Sequence, residues 1–348
     1  MDEILQKTLQ KRWDLQRPFV FFSHPNERLV HHYWQEDEQL VRGSVNDTSG
    51  FFFAPFRMEE DLVFIPDQHH RTFDRPEAKT LPEHLDLPPE GKAYTPYIKG
   101  IEQAIEQIHK GHFKKVVLSR SIDLATKTEN PLTLFLAMLS YFPKAMVYLW
   151  HHPEMGTWLG ASPEQFLKVK GDQLQTMALA GTIPRSDQPQ WSTKEMEEQA
   201  LVVEDILNVL TKEFPKNTVI PSPVYNKTAG NLVHLCTDIT VTAATIDVDH
   251  ISRALHPTPA VGGVPSGKAV EYILKNEGYD RAYYSGFFGP TTKQDTHLFV
   301  NLRCLKWTAE TTTLYVGGGI TAKSRPEAEW EETQRKASVL FNLCEGNL

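Results

Sequence analysis

The stretch Tyr315–Lys336, YVGGGITAKSRPEAEWEETQRK, decides how this chain is read. An apolar run (Leu314, Tyr315, Val316) reads as a strand. Three glycines follow (Gly317, Gly318, Gly319), and a polar turn closed by Pro326 leads into a charged helix. Glycine reaches backbone conformations barred to other residues and lets a ligand approach bare N–H groups, so the triplet reads as a tight turn with room for an anion. On the helix, Glu329, Glu332 and Lys336 recur at three- and four-residue spacing and share a face. The tail alone fits either a solvated ion-pair ladder or one wall of an anion and metal site.

Working back from the tail, Thr312–Val316, Leu298–Leu305 and Tyr284–Phe288 read as strands and a helix starts at Ser266. Before them lie a strand over His234–Ala244 and a long helix opened by Ser192, with capping-box partner Glu195, running to about Phe214. Glu164–Lys170, Thr157–Gly160 and Ala145–Trp150 are strands, Pro131–Phe142 is a helix opened by Asn130, and KKVVLSRSIDL from Lys114 is a strand. A helix capped by Thr95 carries Ile98, Ile101, Ile105 and Ile108 as its buried stripe and stops at Gly111. Residues 1–15 form an amphipathic helix, and Phe19–Phe22, Phe51–Phe56 and Leu62–Ile65 are short strands. Many strands on hairpin-length turns with a few long helices predict an α+β fold: a large layered structure of mainly antiparallel sheets with helices packed outside. The Pro-, Glu- and Lys-rich segment Arg75–Thr95 reads as a connection inside one domain spanning 1–348, of which 1–94 is the less characteristic part.

The chain has 348 residues, 40% hydrophobic and 23% charged, an ordinary composition for a soluble enzyme with a large core. A net charge of −8 without any basic run argues against nucleic acid, so an anionic substrate needs local cations or a metal. Three scattered cysteines (Cys236, Cys304, Cys344) fit reduced thiols in a cytoplasmic protein. The N-terminus lacks a signal-peptide core, and the longest apolar run, around Leu132–Phe142, is too short to span a bilayer. No exposed apolar stripe stands out, so a monomer is expected.

No GxGxxG, P-loop or HExxH occurs. The doublets His31-His32, His69-His70 and His151-His152 read as loop or strand-edge residues rather than metal ligands. Three features are less ordinary. Lys115 lies in a strand among Val116, Val117 and Leu118; Glu164 sits at a turn before a strand; and Glu195, Glu197 and Glu198 crowd one helical turn. The carboxylates have a plain reading as partners of the helix dipole, yet Glu198 leads toward the apolar face through Val202.

KKVVLSR (114–120), GASPEQFL (160–167), ALAGTIPR (178–185), KEMEEQALVV (194–203), LHPTPAVGGVP (255–265), DRAYYSGFFG (280–289), VNLRC (300–304) and GGGITAKSRPEAEWEETQRK (317–336), in this order, resemble the chorismate-utilising enzymes. That family comprises isochorismate and salicylate synthases and the large components of anthranilate and aminodeoxychorismate synthases. The resemblance covers residue 95 to the end. It implies Mg²⁺ held by Glu198 and Glu332, Lys115 as general base and Glu164 as general acid. It implies that Arg303, Lys336 and the backbone of Gly317–Gly319 bind a substrate carboxylate, and that Ala180, Gly181, Thr182, His234, Ala260, Val261, Tyr284, Leu302 and Tyr315 line the rest of the pocket. Tyr284 and Tyr315 stand where relatives are expected to carry Phe.

Isochorismate synthase is the member most closely resembled, an isomerase whose product feeds menaquinone or catechol siderophores. Lys115, where ammonia-using members carry Gln, points to water as the nucleophile, and Ala180 removes the lysine nucleophile of the common aminodeoxychorismate synthases. Ala260, where salicylate formers tend to carry Thr, favours isochorismate. Salicylate synthase and a non-catalytic ligand-binding relative stay open as alternatives.

Overall fold

Three strands rich in large side chains build the centre. In Gly50–Ala54, Phe51 and Phe53 point to one side of the sheet and Phe52 and Ala54 to the other. Phe19–Ser23 splits likewise, with Val20 and Phe22 facing Phe51 and Phe53, and Phe19 and Phe21 turned outward. Met146–His152 repeats the division, placing Tyr148 and Trp150 inside and Val147 and Leu149 outside. Strands alternate their faces with period two, so these runs are buried on both sides and must lie between two apolar layers. Each such side chain, fully buried, contributes roughly 1.5–3 kcal/mol.

The computed structural model describes residues 3–58, 62–185, 189–230 and 232–348. Among them, two antiparallel sheets stack face to face. The first runs Gly263–Val264, Lys115–Ala125, Thr311–Ile320, Cys304–Trp307, Gly156–Ser162, Met146–His152, Phe19–Ser23, Leu29–Trp34, His70–Asp74. The second runs Val219–Pro221, Leu232–Thr242, Gln173–Pro184, Gln165–Lys170, Asp295–Val300, Phe287–Thr291, Gly50–Ala54, Leu62–Pro66, Arg42–Gly43, with Tyr225–Ala229 also paired to Leu232–Thr242. Helices Glu3–Leu15, Leu132–Tyr141 and Pro326–Glu345 cover the outer face of the first sheet. Thr193–Glu213 and Val248–Leu255 cover that of the second. Helices Tyr94–His109 and Ser266–Asn276 pack beside Lys115–Ala125. The layers are thus helix, sheet, sheet, helix, as the α+β expectation requires. None of the described helices is long and apolar enough to cross a membrane.

Two of the chain's passes between the sheets lie side by side. Pro163-Glu164 joins Gly156–Ser162 to Gln165–Lys170, and Asn301-Leu302-Arg303 joins Asp295–Val300 to Cys304–Trp307. Val300 N–H donates to Glu164 O (3.0 Å), Ala161 N–H to Arg303 O (3.1 Å) and Ser162 Oγ to Val300 O (2.6 Å), tying the crossings together.

Several local expectations are corrected. Leu298–Leu305 is not one strand: Arg303 adopts φ 48°, and the chain changes sheet there. Tyr284 precedes its strand, which starts at Phe287. The helix expected to start at Thr95 begins at Tyr94 without a side-chain cap, and of its isoleucine stripe only Ile101 is fully buried. Gly317–Gly319 lie inside the Thr311–Ile320 strand rather than in a turn. Of the paired histidines, His31, His32, His151 and His152 occupy strands with neighbours on both sides. The strands Leu29–Trp34 and His70–Asp74 and the helix Val248–Leu255 were not anticipated.

Candidate active site

A cleft opens where the crossings meet the Thr311–Ile320 strand. Parity on the strands explains its floor. On Lys115–Ala125, Val116 and Leu118 face the helices of that edge, leaving Lys115, Val117 and Ser119 on the other side. Opposite them in register stand Gly319, paired with Val117, and Gly317, paired with Ser119. These glycines are needed for space. A Cβ at Gly319 would collide with Glu198 Oε1 and lie 3.0 Å from Lys115 Cε; one at Gly317 would lie 2.7 Å from Leu118 O. The neighbouring strand Cys304–Trp307 meets Thr311–Ile320 only at Thr312–Leu314, so among the described residues that edge has no strand partner beyond Leu314 and faces the cleft.

Two helices bring the carboxylates. The capping box of Ser192 and Glu195 starts Thr193–Glu213, and Glu198 and Val202, four residues apart, then share its inner face. Pro326 occupies the first turn of Pro326–Glu345, where its fixed φ suits a helix start, and the face of Glu329, Glu332, Lys336 and Leu340 meets the glycines. Arg120 clamps that helix to the sheet: its Nε donates to Thr333 Oγ1 (3.0 Å) and its guanidinium covers Trp330 at 4.0 Å.

Each carboxylate has its own lysine. Lys115 Nζ, 1% exposed, lies 3.0 Å from Glu198 Oε1; Lys194 Nζ lies 2.6 Å from Glu329 Oε1; Lys336 Nζ lies 2.8 Å from Glu332 Oε1 and donates to Gly317 O. Burial opposes ionisation of Glu198, but Lys115 and Lys194 hold its carboxyl below the ordinary value. Burial and then the charge of Glu332 push Glu329 upward. Glu329 Oε2 is buried without a hydrogen-bond partner. An orphaned carboxylate oxygen beside two further carboxylates is a donor set that suits a hard divalent cation. Among the described residues, the carboxylates of this cleft are not drawn together as three ligands within 4.8 Å.

Glu164 stands across the cleft on its crossing, 2% exposed, and burial raises its pKa to about 8 against the pull of Lys227, Lys115 and Lys336. Arg303, half-buried on the other crossing, donates through Nη1 to Ala229 O at 3.0 Å. Burial lowers its pKa to about 10, so it stays cationic, and no acidic side chain pairs with it among the described residues. His234 bridges it to the ALAGT segment. Gly181 O, 3.2 Å from Nδ1, can only accept, so the proton sits on Nδ1, and Nε2 faces Arg303 Nη2 at 3.5 Å. Burial, then Arg303 and Lys336, keep that imidazole neutral. Tyr284 and Tyr315 stack at 5.5 Å, and Tyr315 stacks on Trp158 at 5.4 Å.

The cleft therefore gathers Glu164, Ala180, Gly181, Thr182, Glu198, His234, Ala260, Val261, Tyr284, Leu302, Arg303, Tyr315, Gly317, Gly318, Gly319, Glu332 and Lys336, with Lys115 directly behind Gly319 and Glu198. Sequence reasoning missed Glu329 as a member of the acidic group, although its spacing to Glu332 and Lys336 announced the shared face. It also missed Lys194 and Arg120, whose signal was only membership of the KEMEEQ and KKVVLSR motifs.

A sequence profile described as "chorismate binding enzyme" matches residues 59–344. The vibriobactin-specific isochorismate synthase of Vibrio cholerae is 29% identical over 262 residues, covering 70% of this chain and 65%, just under two thirds, of that protein. Isochorismate synthase MenF of Haemophilus influenzae is 30% identical over 315 residues, 85% of this chain and 72% of that one. The crystal structure of DhbC from Bacillus anthracis superposes with a TM-score of 0.80 at 25% identity, covering 94% of this chain and 96% of that chain.

Proposed function

This chain belongs to the chorismate binding enzymes, and from that premise we propose that it is an isochorismate synthase, interconverting chorismate and isochorismate with Mg²⁺. The observation that carries the reading is Glu164: a buried carboxyl that keeps its proton near neutral pH, in a cleft whose other wall hides a lysine. A protonated acid opposite an amine that can accept a proton when neutral suits displacement of one hydroxyl by another.

Lys115, acting in its neutral form with its ion pair to Glu198 released, takes a proton from water as the oxygen bonds to ring carbon C2. The two ring double bonds shift, and the C4–O bond breaks as Glu164 Oε gives its proton to the departing hydroxyl. In the reverse direction the roles exchange. Arg303 and the open strand edge at Gly317–Gly319 bind a carboxylate, for which a planar guanidinium and bare amides are matched. Tyr284, Tyr315 and Val261 form the ring wall. Glu198 and Glu332, with Glu329 beside them, would hold Mg²⁺, whose charge would offset the acidic wall and favour binding of an anionic substrate.

The test is incubation of purified chain with chorismate and Mg²⁺, with products resolved by chromatography. A chorismate–isochorismate mixture reached from either side is expected. Stoichiometric pyruvate without an added lyase overturns the reading in favour of salicylate synthase.

A further inference from the structure

A second group of side chains able to hold a metal lies outside this cleft, on Leu29–Trp34 and the turn that precedes it. One ligand atom each from His24, Glu27 and His31 falls within 4.8 Å of the other two. His31 Nε2 and Glu27 Oε1 are 3.0 Å apart, near the ~3.3 Å that separates two tetrahedral ligands bound at about 2.0–2.1 Å. His24 Nδ1 is buried and has no hydrogen-bond partner. The three side chains line a groove with Gln165, Lys168 and His297, which the active-site mechanism does not use.

The surroundings orient these groups as a metal site needs. His31 Nε2 donates to Glu27 Oε1, and His31 Nδ1 lies 3.3 Å from His70 Nε2 on the next strand, so His70 can accept the proton on Nδ1 when a metal takes the place of the one on Nε2. The His31 ring is stacked on Phe22 at 5.0 Å and the His24 ring on His297 at 5.2 Å. The turn itself is fixed from below. Arg75 Nη1 donates to His24 O (3.2 Å) and Ser23 Oγ (3.0 Å), and its other nitrogens donate to Leu139 O and Phe142 O. Asn26, at φ 62°, donates its N–H to Pro143 O at 2.8 Å. A rigid hairpin turn with two imidazoles and one carboxylate is poor for Mg²⁺, which prefers oxygen, and well suited to Zn²⁺.

We propose that His24, Glu27 and His31 form a Zn²⁺ site, with His70 orienting His31 and the fourth position open to the groove. The site is independent of the Mg²⁺ cluster, since it shares no residue with it. The experiment is calorimetric titration of EDTA-treated, tag-free full chain with ZnCl₂, repeated with Co²⁺ to read the visible absorption of a tetrahedral site. Wild type is expected to take up one Zn²⁺ that Glu198→Ala retains. His24→Ala and His31→Ala should lose it, and His70→Ala should bind about 10–100-fold more weakly while folding normally. Circular dichroism of each metal-free variant separates lost binding from lost folding, and Glu27→Gln, which keeps the side chain's shape, replaces any variant that does not fold. Equal Zn²⁺ affinity in wild type, His24→Ala and His31→Ala, or no uptake by folded wild type, overturns the proposal.

Discussion

Glu164 owes its proton to its position. The crossing that carries it leaves the side chain 2% exposed, and burial lifts its pKa to about 8. Two consequences have defined signs. As the proposed general acid it works while protonated, so turnover should fall as pH rises through about 8, and Glu164→Gln should cost about 10²–10⁴ in rate below that pH and progressively less above it. For stability, the folded state keeps a proton that the unfolded chain releases in the ordinary carboxyl range. Glu164 therefore supports the fold at low pH and withdraws that support as pH climbs toward and through about 8. The Tm advantage of Glu164→Gln over wild type should be small near pH ~5 and widen toward pH ~9, measured by scanning calorimetry. A gap that stays constant with pH contradicts a raised Glu164. Lys115→Gln should also lose about 10²–10⁴ in turnover while still binding chorismate. Activity within a few-fold of wild type removes lysine from the mechanism.

At the scale of elements, the glycine triplet and the two helices set the geometry. A methyl at Gly317 or Gly319 meets backbone or carboxylate, whereas at Gly318 its nearest neighbours, Glu329 Oε2 and Glu332 Oε1, lie at 3.7 and 3.8 Å. Gly317→Ala and Gly319→Ala should lower stability by about 1–3 kcal/mol in urea unfolding, and Gly318→Ala by much less. Equal losses at all three positions count against the close-approach account. These elements also show what a sequence discloses. The capping box of Ser192 and Glu195 and the strand beginning at Lys114 were legible because both are local patterns. The glycines were legible as a place of close approach but not as a strand, because glycine weakens every local preference and only the pairing to Val117–Ser119 keeps the chain extended. The break at Arg303 was hidden for a related reason: the run from Leu298 to Leu305 has strand composition on both sides of a positive φ. Val248–Leu255 is short, and its signal was Asp247 capping His250 N–H.

For the molecule as a whole, the carboxylates come from two helices on opposite outer layers, each balanced by a lysine before any metal arrives. Glu198→Ala or Glu332→Ala should abolish calorimetric Mg²⁺ binding in the presence of chorismate and silence turnover, and EDTA should do so reversibly in wild type. Normal activity without metal returns these glutamates to a purely electrostatic role. The placement of the first 74 residues was the least legible feature of the whole, because their locally paired strands join the two sheets through distant segments: Phe19–Ser23 through Met146–His152, and Gly50–Ala54 through Phe287–Thr291.

The same long-range pairing governs when the catalytic centre comes into being. Val116 finds its partner in Ile320, near the other end of the chain, and Glu332 and Lys336 arrive later still. Contacts so remote in sequence form late, since the intervening chain must be ordered or looped first. A nascent chain on the ribosome therefore carries Lys115 on an unpaired strand edge, with Glu164 and Glu198 not yet assembled beside it, until Thr311–Ile320 and the helix Pro326–Glu345 emerge. The chain is at its most aggregation-prone in that interval, and a premature stop before Thr311 should yield an insoluble product rather than a weakly active one.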